Sequence, residues 1–182
     1  METTIYSIGH GNKKMSSFIK ELESFDIQYV MDVRSMPYSK WSPQYNQSTL
    51  KDELTNCKIN YVYAGDTLGG LPKDKSCYDE NGKVVYDAIK EKEFFKEGLS
   101  RLITANDKKL RLAIMCSEAN PAECHRCKLI GQELLKHNIS INHIISAKNT
   151  KSQETVMAEL TKGKGTVDLW GNETEFTSRK SY

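Results

Sequence analysis

Short apolar segments of strand type alternate along the chain with longer segments whose apolar residues follow helical spacing. The strand-type segments lie at residues 4–10, 28–35, 59–63, 110–116 and 141–146. A strand–helix alternation repeated five times is typical of a mostly parallel sheet. We therefore predict a single α/β domain with a mainly parallel central sheet of about five strands and helices on both faces.

The segments between the predicted strands show the periodicity of amphipathic helices. We predict helices at residues 16–25, 48–57, 84–105 and 121–137. Ser16 and Ser48 are the expected N-caps of the first two, and we expect the third helix to break near Lys90.

Two irregular loops, residues 36–48 and 64–83, follow predicted strands and are rich in Gly, Pro, Ser and aromatic residues. Loops at the carboxyl ends of strands usually carry the ligand site in an open α/β sheet. We therefore expect the functional site at that edge of the sheet.

The periodicity fades after about Ala147. We accordingly divide the chain into an α/β domain at residues 1–147 and a C-terminal extension at residues 148–182. Within the extension we expect one short helix at residues 153–161. Trp170 and Phe176 are candidate anchors of the remaining tail onto the domain.

The charge balance limits the classes of partner. The 182-residue chain has 26 Lys and Arg against 24 Asp and Glu, a net charge of +2. This near-balance argues against a nucleic-acid-coating or polybasic membrane protein, although a local nucleic-acid site stays open. No apolar run has the roughly 18 residues of a membrane span, and the N-terminus lacks the pattern of a secretory signal. We expect a cytoplasmic protein with no membrane partner, and the oligomeric state is left open.

Five cysteines are present, and three of them lie within twelve residues. The odd number and the expected reducing compartment predict free thiols. Cys116, Cys124 and Cys127 fall in the segment MCSEANPAECHRC, residues 115–127. This segment is therefore the first place to look for chemistry.

The local pattern of that segment predicts a strand followed by a helix start. Asn120 is the expected N-cap, Pro121 the first helical residue, and Glu123 completes a capping-box-like start. The next four residues, Cys124 to Cys127, would then fill the first turns of the helix. A helix N-terminus lowers the pKa of a thiol and attracts anions, and Arg126 would add a bidentate grip.

Three interpretations of the segment stay open. Cys116 or Cys124 is an activated thiolate in a substrate loop that binds an anion; or Cys116, Cys124 and Cys127, with a histidine, bind zinc or iron; or the thiols are buried core residues. No metal is our default expectation, because a single C-x-x-C lacks the second pair of ligands that makes such a site convincing.

Further candidate residues lie at other strand ends. Asp32 and Arg34 point to the same side of their strand, either to act on a substrate or to form an internal ion pair. His10, between two glycines, can approach a ligand closely. Gly69 and Gly70 allow close backbone approach, and His143 is expected to be a satisfied histidine of the sheet.

Taken in order, the motifs SIGH, MDVRSMPYSK, LGG, MCSEANPAECHR and NHI resemble the bacterial and archaeal family called domain of unknown function 488. The resemblance spans roughly residues 3–146. It implies these signature positions: His10, Asp32, Arg34, Pro37, Ser39, Leu68, Gly69, Gly70, Cys116, Glu118, Cys124, His125, Arg126 and His143. Cys127 is not part of the family pattern, and Lys40 stands where members often have Arg. A more distant similarity to rhodanese-like domains is an analogy of fold only.

The clustering of reactive side chains at strand ends predicts an enzyme for a small anionic or nucleotide-like substrate. The candidate catalytic residues are His10, Asp32, Cys116, Glu118, Cys124 and His125. The candidate substrate-binding residues are Arg34, Ser39, Gly69, Gly70 and Arg126. The alternatives are a non-catalytic module that binds a ligand or nucleic acid, and a metalloprotein that uses the cysteine cluster.

Overall fold

The structure, a computed structural model, describes residues 3–167 and 174–182. Its central sheet has six strands in the order β3-β2-β5-β1-β6-β7. These strands are β1 (Ile5–Gly9), β2 (Tyr29–Asp32), β3 (Asn60–Tyr63), β5 (Leu112–Cys116), β6 (Asn142–Ser146) and β7 (Asn149–Ser152). The first five are parallel to one another, and β7 is antiparallel to β6. A separate antiparallel pair joins β4 (Lys83–Val85) to β8 (Thr177–Ser181).

Six α-helices connect the strands: α1 (Met15–Glu23), α2 (Gln47–Asn56), α3 (Tyr86–Lys90), α4 (Glu93–Asp107), α5 (Gln132–Lys136) and α6 (Gln153–Leu160). Short 3₁₀ helices lie at Pro43–Tyr45, Lys75–Cys77 and Pro121–Glu123, and a π-helix at Arg126–Gly131. None of the helices within the described ranges is long and apolar enough to cross a membrane.

The sheet is buried on both faces, as the alternation of β5 shows. Leu112 and Ile114 pack into a core with α4 and the π-helix, whereas Ala113 and Met115 pack into a second core with α1 and α2. Successive side chains of a strand point to opposite faces, so a strand buried on both faces reads as a continuous apolar run. The predicted fold class, a mainly parallel α/β domain with helices on both faces, is confirmed.

The first two helices begin one residue before the serines that we expected as N-caps. Helix α1 starts at Met15 because the carbonyl of Lys14 already accepts from the amide of Phe18. Helix α2 starts at Gln47 because the carbonyl of Asn46 accepts from the amide of Leu50. The expectation that Ser16 and Ser48 cap these helices is wrong.

The predicted helix at residues 121–137 is three segments. Asn120 does cap its start, since its side chain accepts from the amide of Ala122. The first segment ends at Cys124, whose backbone is extended, and the π-helix and α5 follow. The break at Cys124 aims its thiol differently from a continuous helix, and this geometry shapes the site.

The C-terminal segment contributes to both sheets. β7 adds an antiparallel edge strand beside β6, and α6 is the short helix expected at residues 153–161. β8 returns to pair with β4, and Phe176 packs between the core and the α6 cluster. Trp170, the other proposed anchor, lies outside the described residues.

Candidate functional site

A cleft of about 340 Å³ opens at the carboxyl edge of the sheet, where β1, β2 and β5 end. His10 follows β1, Arg34 follows β2, and Cys116 is the last residue of β5. All three line the cleft together with Glu118, Cys124 and His125. The carboxyl ends of parallel strands meet at one edge, so residues far apart in sequence converge there.

Glycine at position 9 allows this convergence. The backbone after β1 runs alongside residues 116–119, with amide bonds from His10 to the carbonyl of Cys116 and from Gly11 to that of Ser117. A Cβ on Gly9 would lie 1.9 Å from the carbonyl oxygen of Glu118. Any larger residue would therefore push the cysteine loop away from the sheet.

The two thiols of the cleft share one carboxylate. Sγ of Cys116 lies 2.9 Å and Sγ of Cys124 lies 3.4 Å from Oε2 of Glu118. Both thiols are almost fully buried, at 4% and 2% exposed. A half-buried carboxylate next to two thiols disfavours a negative charge on both at once.

The contacts of Arg126 indicate which of the two thiols is the more readily ionised. Its side chain is 1% exposed, and its Nε donates to Sγ of Cys124 over 3.2 Å. The other guanidinium nitrogens bond neutral acceptors, Oγ of Ser7 at 3.1 Å and the carbonyl of Glu118 at 2.6 Å. A buried guanidinium needs an anion, and the Cys124 thiolate is the group in direct contact that supplies it.

The electrostatics of the pair follow from this contact. Burial by itself raises the pKa of Cys124, but hydrogen bonding from Cys116 and the charges of Arg126 and His125 hold that pKa well below its usual range. The hydrogen bond to Cys124, burial and the neighbouring negative charge raise the pKa of Cys116 well above its usual range. The two shifts favour the thiolate form at Cys124 and the thiol form at Cys116.

His125 lies against both sulfurs. Its Nδ1 is 3.6 Å from Sγ of Cys124 and 3.9 Å from Sγ of Cys116. Burial lowers the pKa of His125, but the neighbouring Cys124 thiolate outweighs burial and raises it. Nε2 is buried and has no hydrogen-bond partner within the described part of the chain. A Cβ on Gly70 would lie 2.9 Å from Nδ1, so this close packing needs glycine there.

Three side chains could hold a metal ion. Sγ of Cys116, Sγ of Cys124 and Nδ1 of His125 all lie within 4.8 Å of one another. This set of ligands differs from the Cys116, Cys124 and Cys127 set that we considered from the sequence, because the Cys127 side chain points away from the cleft. Its Sγ lies 3.4 Å from Sδ of Met157 in the buried cluster under α6. Cys127 is a core residue here, as its place outside the family pattern suggests.

Asp32 and Arg34 form a closed ion pair. Nε and Nη2 of Arg34 donate to the two carboxylate oxygens at 2.9 and 2.6 Å, and Nη2 also donates to the carbonyl of Tyr45. The hydroxyl of Tyr61 donates to Oδ2 of Asp32 over 2.8 Å. Asp32 is fully buried and does not line the cleft, although Arg34 does. This geometry favours the second of our two interpretations, an internal pair that fixes the loop.

His10 lines the cleft as a neutral ring. It stacks on Tyr45 with ring centroids 4.2 Å apart, and its Nδ1 lies 2.9 Å from the carbonyl of Gly11. Burial lowers the pKa of His10 to about 4. Near neutral pH its ring can therefore accept a proton or a hydrogen bond but carries no charge.

The remaining candidates shape loops. Oγ of Ser39 accepts from the amides of Trp41 and Ser42, and its own amide donates to Oδ1 of Asn46. Gly69 packs against the carbonyl of Gly65, where a Cβ would come within 2.1 Å. Ser39 thus stabilises the loop at the mouth of the cleft. Gly69 allows its own loop, which also contains Gly70, to pack closely.

A chain of hydrogen bonds behind Arg126 was not predicted. Oγ of Ser7, which accepts from Arg126, also lies 2.6 Å from Nδ1 of His143. Nε2 of His143 lies 2.8 Å from Oε1 of Gln153, whose amide donates to the carbonyl of Cys127. The chain satisfies a neutral His143, whose pKa burial lowers to about 4. Ser7 has no local signal in the sequence, because its partners are more than a hundred and ten residues away. Gln153 lies 10 residues from His143 and 26 from Cys127, and no motif marks it.

One wall of the cleft comes from the C-terminal strand, which was also missed. Ser178, Arg179, Lys180 and Tyr182 line it opposite the loop of residues 35–39. The hydroxyl of Ser178 accepts from the amide of Val84 and so joins β8 to the domain. Two large side chains of the mouth, Met36 and Tyr38, are 75% and 66% exposed, and Trp41, in the same loop, is 96% exposed. Exposed apolar groups beside a cleft are typical of a binding rim.

The comparisons with known proteins agree with the motifs. Searches of the curated proteins and of the solved structures found no match to the chain. The family model described as Domain of unknown function DUF488 matches residues 14–131, which include both cleft cysteines and begin after His10. The match covers well over half of the chain, so the chain belongs to the DUF488 family.

Proposed function

We propose that the protein is an enzyme in which the Cys124 thiolate attacks a small anionic substrate held in the cleft. The observation that carries the proposal is the buried Nε of Arg126 donating to Sγ of Cys124. An ionised thiol is the nucleophile in cysteine chemistry, and such thiols lie beside fixed positive charge.

Three neighbours have distinct roles in this proposal. Arg126 stabilises the thiolate before attack and again when the thiolate leaves. His125 presents Nε2, a buried nitrogen with no partner in the described residues, and its raised pKa favours an N–H that donates to the substrate. Glu118, which lies within hydrogen-bond distance of Cys116, accepts a proton or returns one.

The residues at the rim of the cleft favour an anionic substrate that carries a flat group. Lys180 lines the cleft, Arg179 lines it as the ion-pair partner of Glu123, and Tyr38 and Tyr182 are exposed at its edge. A cation attracts an anionic substrate from solution, and aromatic rings stack on flat groups such as a nucleobase. The Asp32–Arg34 pair holds the loop that presents Tyr38 and leaves substrate contact to the other residues.

The experiment compares alkylation of the protein by iodoacetate and by iodoacetamide, with the modified cysteine identified by peptide mass spectrometry. We expect Cys124 to react first, at a pH at which the partly exposed Cys57 is still unmodified. We also expect the ratio of the iodoacetate rate to the iodoacetamide rate to be higher at Cys124 than at a free thiol in solution. Modification of Cys57 ahead of Cys124 at every pH contradicts the proposal.

A metal centre is the competing function, since three ligand atoms lie within 4.8 Å of one another. Arg126 argues against it, because a guanidinium at 3.2 Å occupies Sγ of Cys124 and repels a dication. Metal analysis of protein purified without chelator decides between the two. A stoichiometric metal that is lost in Cys124→Ala replaces the thiolate proposal.

A further inference from the structure

A thiolate enzyme needs one nucleophilic cysteine, but the cleft holds two. Sγ of Cys116 and Sγ of Cys124 lie within 4.8 Å of each other, and both residues line the cleft. Cys127, although it is closer to Cys124 in sequence, points to the opposite side against Met157. The close approach of Cys116 is therefore a property of the site rather than a consequence of sequence proximity.

We infer that Cys116 is the resolving thiol of Cys124, and that the pair reduces a small anionic disulfide and closes into a Cys116–Cys124 disulfide. This inference rests on the proposed function, because it requires Cys124 to attack first. It adds the role of the second thiol and the chemical class of the substrate.

The reaction balances in two steps. The Cys124 thiolate attacks one sulfur of the substrate RS–SR, which gives the mixed disulfide Cys124–S–SR and releases RS⁻. The Cys116 thiol passes its proton to Glu118 and attacks Sγ of Cys124, which releases the second RS⁻. The two cysteines lose two electrons and the substrate gains them, so RS–SR leaves as two thiols once protons are taken up.

Oε2 of Glu118 lies 2.9 Å from Sγ of Cys116 and is in place to accept that proton. The charges also impose the order of the steps. While Cys124 is a thiolate, its negative charge and that of Glu118 keep Cys116 protonated. The mixed disulfide removes the charge from Cys124, and Arg126 is then the neighbouring cation for a Cys116 thiolate. The second thiol is thereby activated only after the first has reacted.

The backbone permits the closure. A disulfide needs its sulfurs about 2.05 Å apart, so the two Sγ atoms have less than 3 Å to close. Cys124 has an extended backbone and lies between the 3₁₀ helix and the π-helix, as a residue of neither. Cys116 is the last residue of β5 and is paired with Gly9 of β1. The movement therefore falls on the loop of residues 117–124.

The cleft also fits the size and charge of such a substrate. Its volume of about 340 Å³ is in the range of ligand pockets and far exceeds what a peroxide would fill. Lys180 supplies a positive charge along its wall, beside Arg179, which is paired with Glu123. An organic disulfide that carries carboxylates matches both features.

The test uses 5,5′-dithiobis(2-nitrobenzoate), an anionic aromatic disulfide whose released thiolate is coloured. A Cys57→Ser background removes the partly exposed thiol, and Cys77 and Cys127 are buried. We expect this protein to release two thiolates per chain in rapid succession and to contain a Cys116–Cys124 disulfide in non-reducing peptide maps. The matched control Cys127→Ala, which removes the thiol that faces away, should behave identically.

The single variants separate the steps. In the same background, Cys116→Ser should release one thiolate and keep the reagent covalently on Cys124, whereas Cys124→Ser should release none from the cleft. The disulfide map of the unsubstituted protein gives a readout that does not depend on how these variants fold.

Two outcomes overturn the inference in distinguishable ways. If Cys124 reacts first but its adduct persists with Cys116 present, the resolving role is wrong and the thiolate proposal stands. If Cys124 does not react ahead of the other thiols, the proposed function fails and the inference fails with it.

Discussion

Two buried arginines lie at the carboxyl edge of the same sheet, and they use their charge differently. Arg34 forms a two-bond pair with the carboxylate of Asp32 and is further bonded to the carbonyl of Tyr45. Arg126 donates to two neutral oxygens and to one thiol, that of Cys124. Both guanidinium groups are buried, so both need a negative partner.

The difference lies in the partner's chemistry. The Asp32 carboxylate and the Arg34 guanidinium neutralise each other through two hydrogen bonds, so this pair leaves nothing to react. A thiol becomes a strong nucleophile once ionised, and the charge beside Cys124 that stabilises the ionised form is Arg126. The same residue type therefore builds a fixed support after β2 and, in our proposal, an activated thiol in the segment that follows β5.

Replacing Arg34 gives the largest expected loss of stability. Arg34→Met leaves the Asp32 carboxylate buried and unpaired, and breaking a buried pair in this way costs about 3–5 kcal/mol. Chemical denaturation measures the free energy of unfolding. A double variant Arg34→Met with Asp32→Leu, in which no charge is stranded, should recover much of the loss. A single variant as stable as the parent contradicts the support role.

Acid should weaken the hydrogen-bond chain behind Arg126. His143 has a folded pKa of about 4 against 6.5 for the free side chain. Below pH 6.5 the unfolded chain binds a proton that the folded protein does not, so stability falls as the pH falls from 6.5 towards 4. The loss is on the order of 3 kcal/mol by linkage. His10, which has the same folded pKa, adds to it.

Unfolding measured at several pH values checks this slope. Replacing the exposed His137 by Gln is the control and should leave the pH dependence unchanged. A stability that stays constant between pH 6.5 and 4.5 contradicts the neutral state of the two buried histidines.

Replacing Arg126 should separate stability from reactivity. In Arg126→Met, Cys124 can take up a proton, so no buried charge is stranded and the loss of stability should be smaller, about 1–3 kcal/mol. The pKa of Cys124 should rise, because the guanidinium no longer stabilises the thiolate. Alkylation of Cys124 as a function of pH measures this. An Arg126→Met variant that loses more stability than Arg34→Met reverses the comparison.

Gly70→Ala should lower the reactivity of Cys124 and leave the Asp32–Arg34 pair unchanged. The new Cβ would press on Nδ1 of His125 at 2.9 Å, so the imidazole must leave its present position beside the two sulfurs. We expect slower alkylation of Cys124 with a loss of stability of about 1 kcal/mol. An unchanged rate at Cys124 would mean that His125 does not contribute to its reactivity.

The smallest expected effect on stability is at Trp41, in the loop that carries the rim residues Met36 and Tyr38. Trp41 is 96% exposed, so Trp41→Ala should change the free energy of unfolding by less than about 0.5 kcal/mol. If the exposed aromatics bind substrate, the same variant weakens binding of the aromatic disulfide reagent without changing the alkylation of Cys124 by iodoacetamide. Saturation kinetics with the two reagents give that contrast.

The strands could be read from the sequence because strands buried on both faces are continuous apolar runs. The helix boundaries could not, since Lys14 and Asn46 begin their helices through backbone bonds without a side-chain cap, and the Asn46 side chain instead accepts from the amide of Ser39. The cysteine-rich segment was also visible, because Cys116, Cys124 and Arg126 are close in sequence and belong to a family motif. Which thiol ionises depends on Arg126 Nε reaching Cys124, and that contact needs the break that ends the 3₁₀ helix.

Local pattern by itself therefore determined the α/β class, the edge of the sheet at which the cleft opens, and the segment of residues 115–127 that supplies its two thiols. Only the tertiary structure decided that His125 rather than Cys127 joins the two thiols, that Ser7, His143 and Gln153 support Arg126, and that β8 walls the cleft. Short-range periodicity reports which face of an element is buried. Contacts between elements about a hundred residues apart depend on how those faces pack, and no single stretch of sequence contains that information.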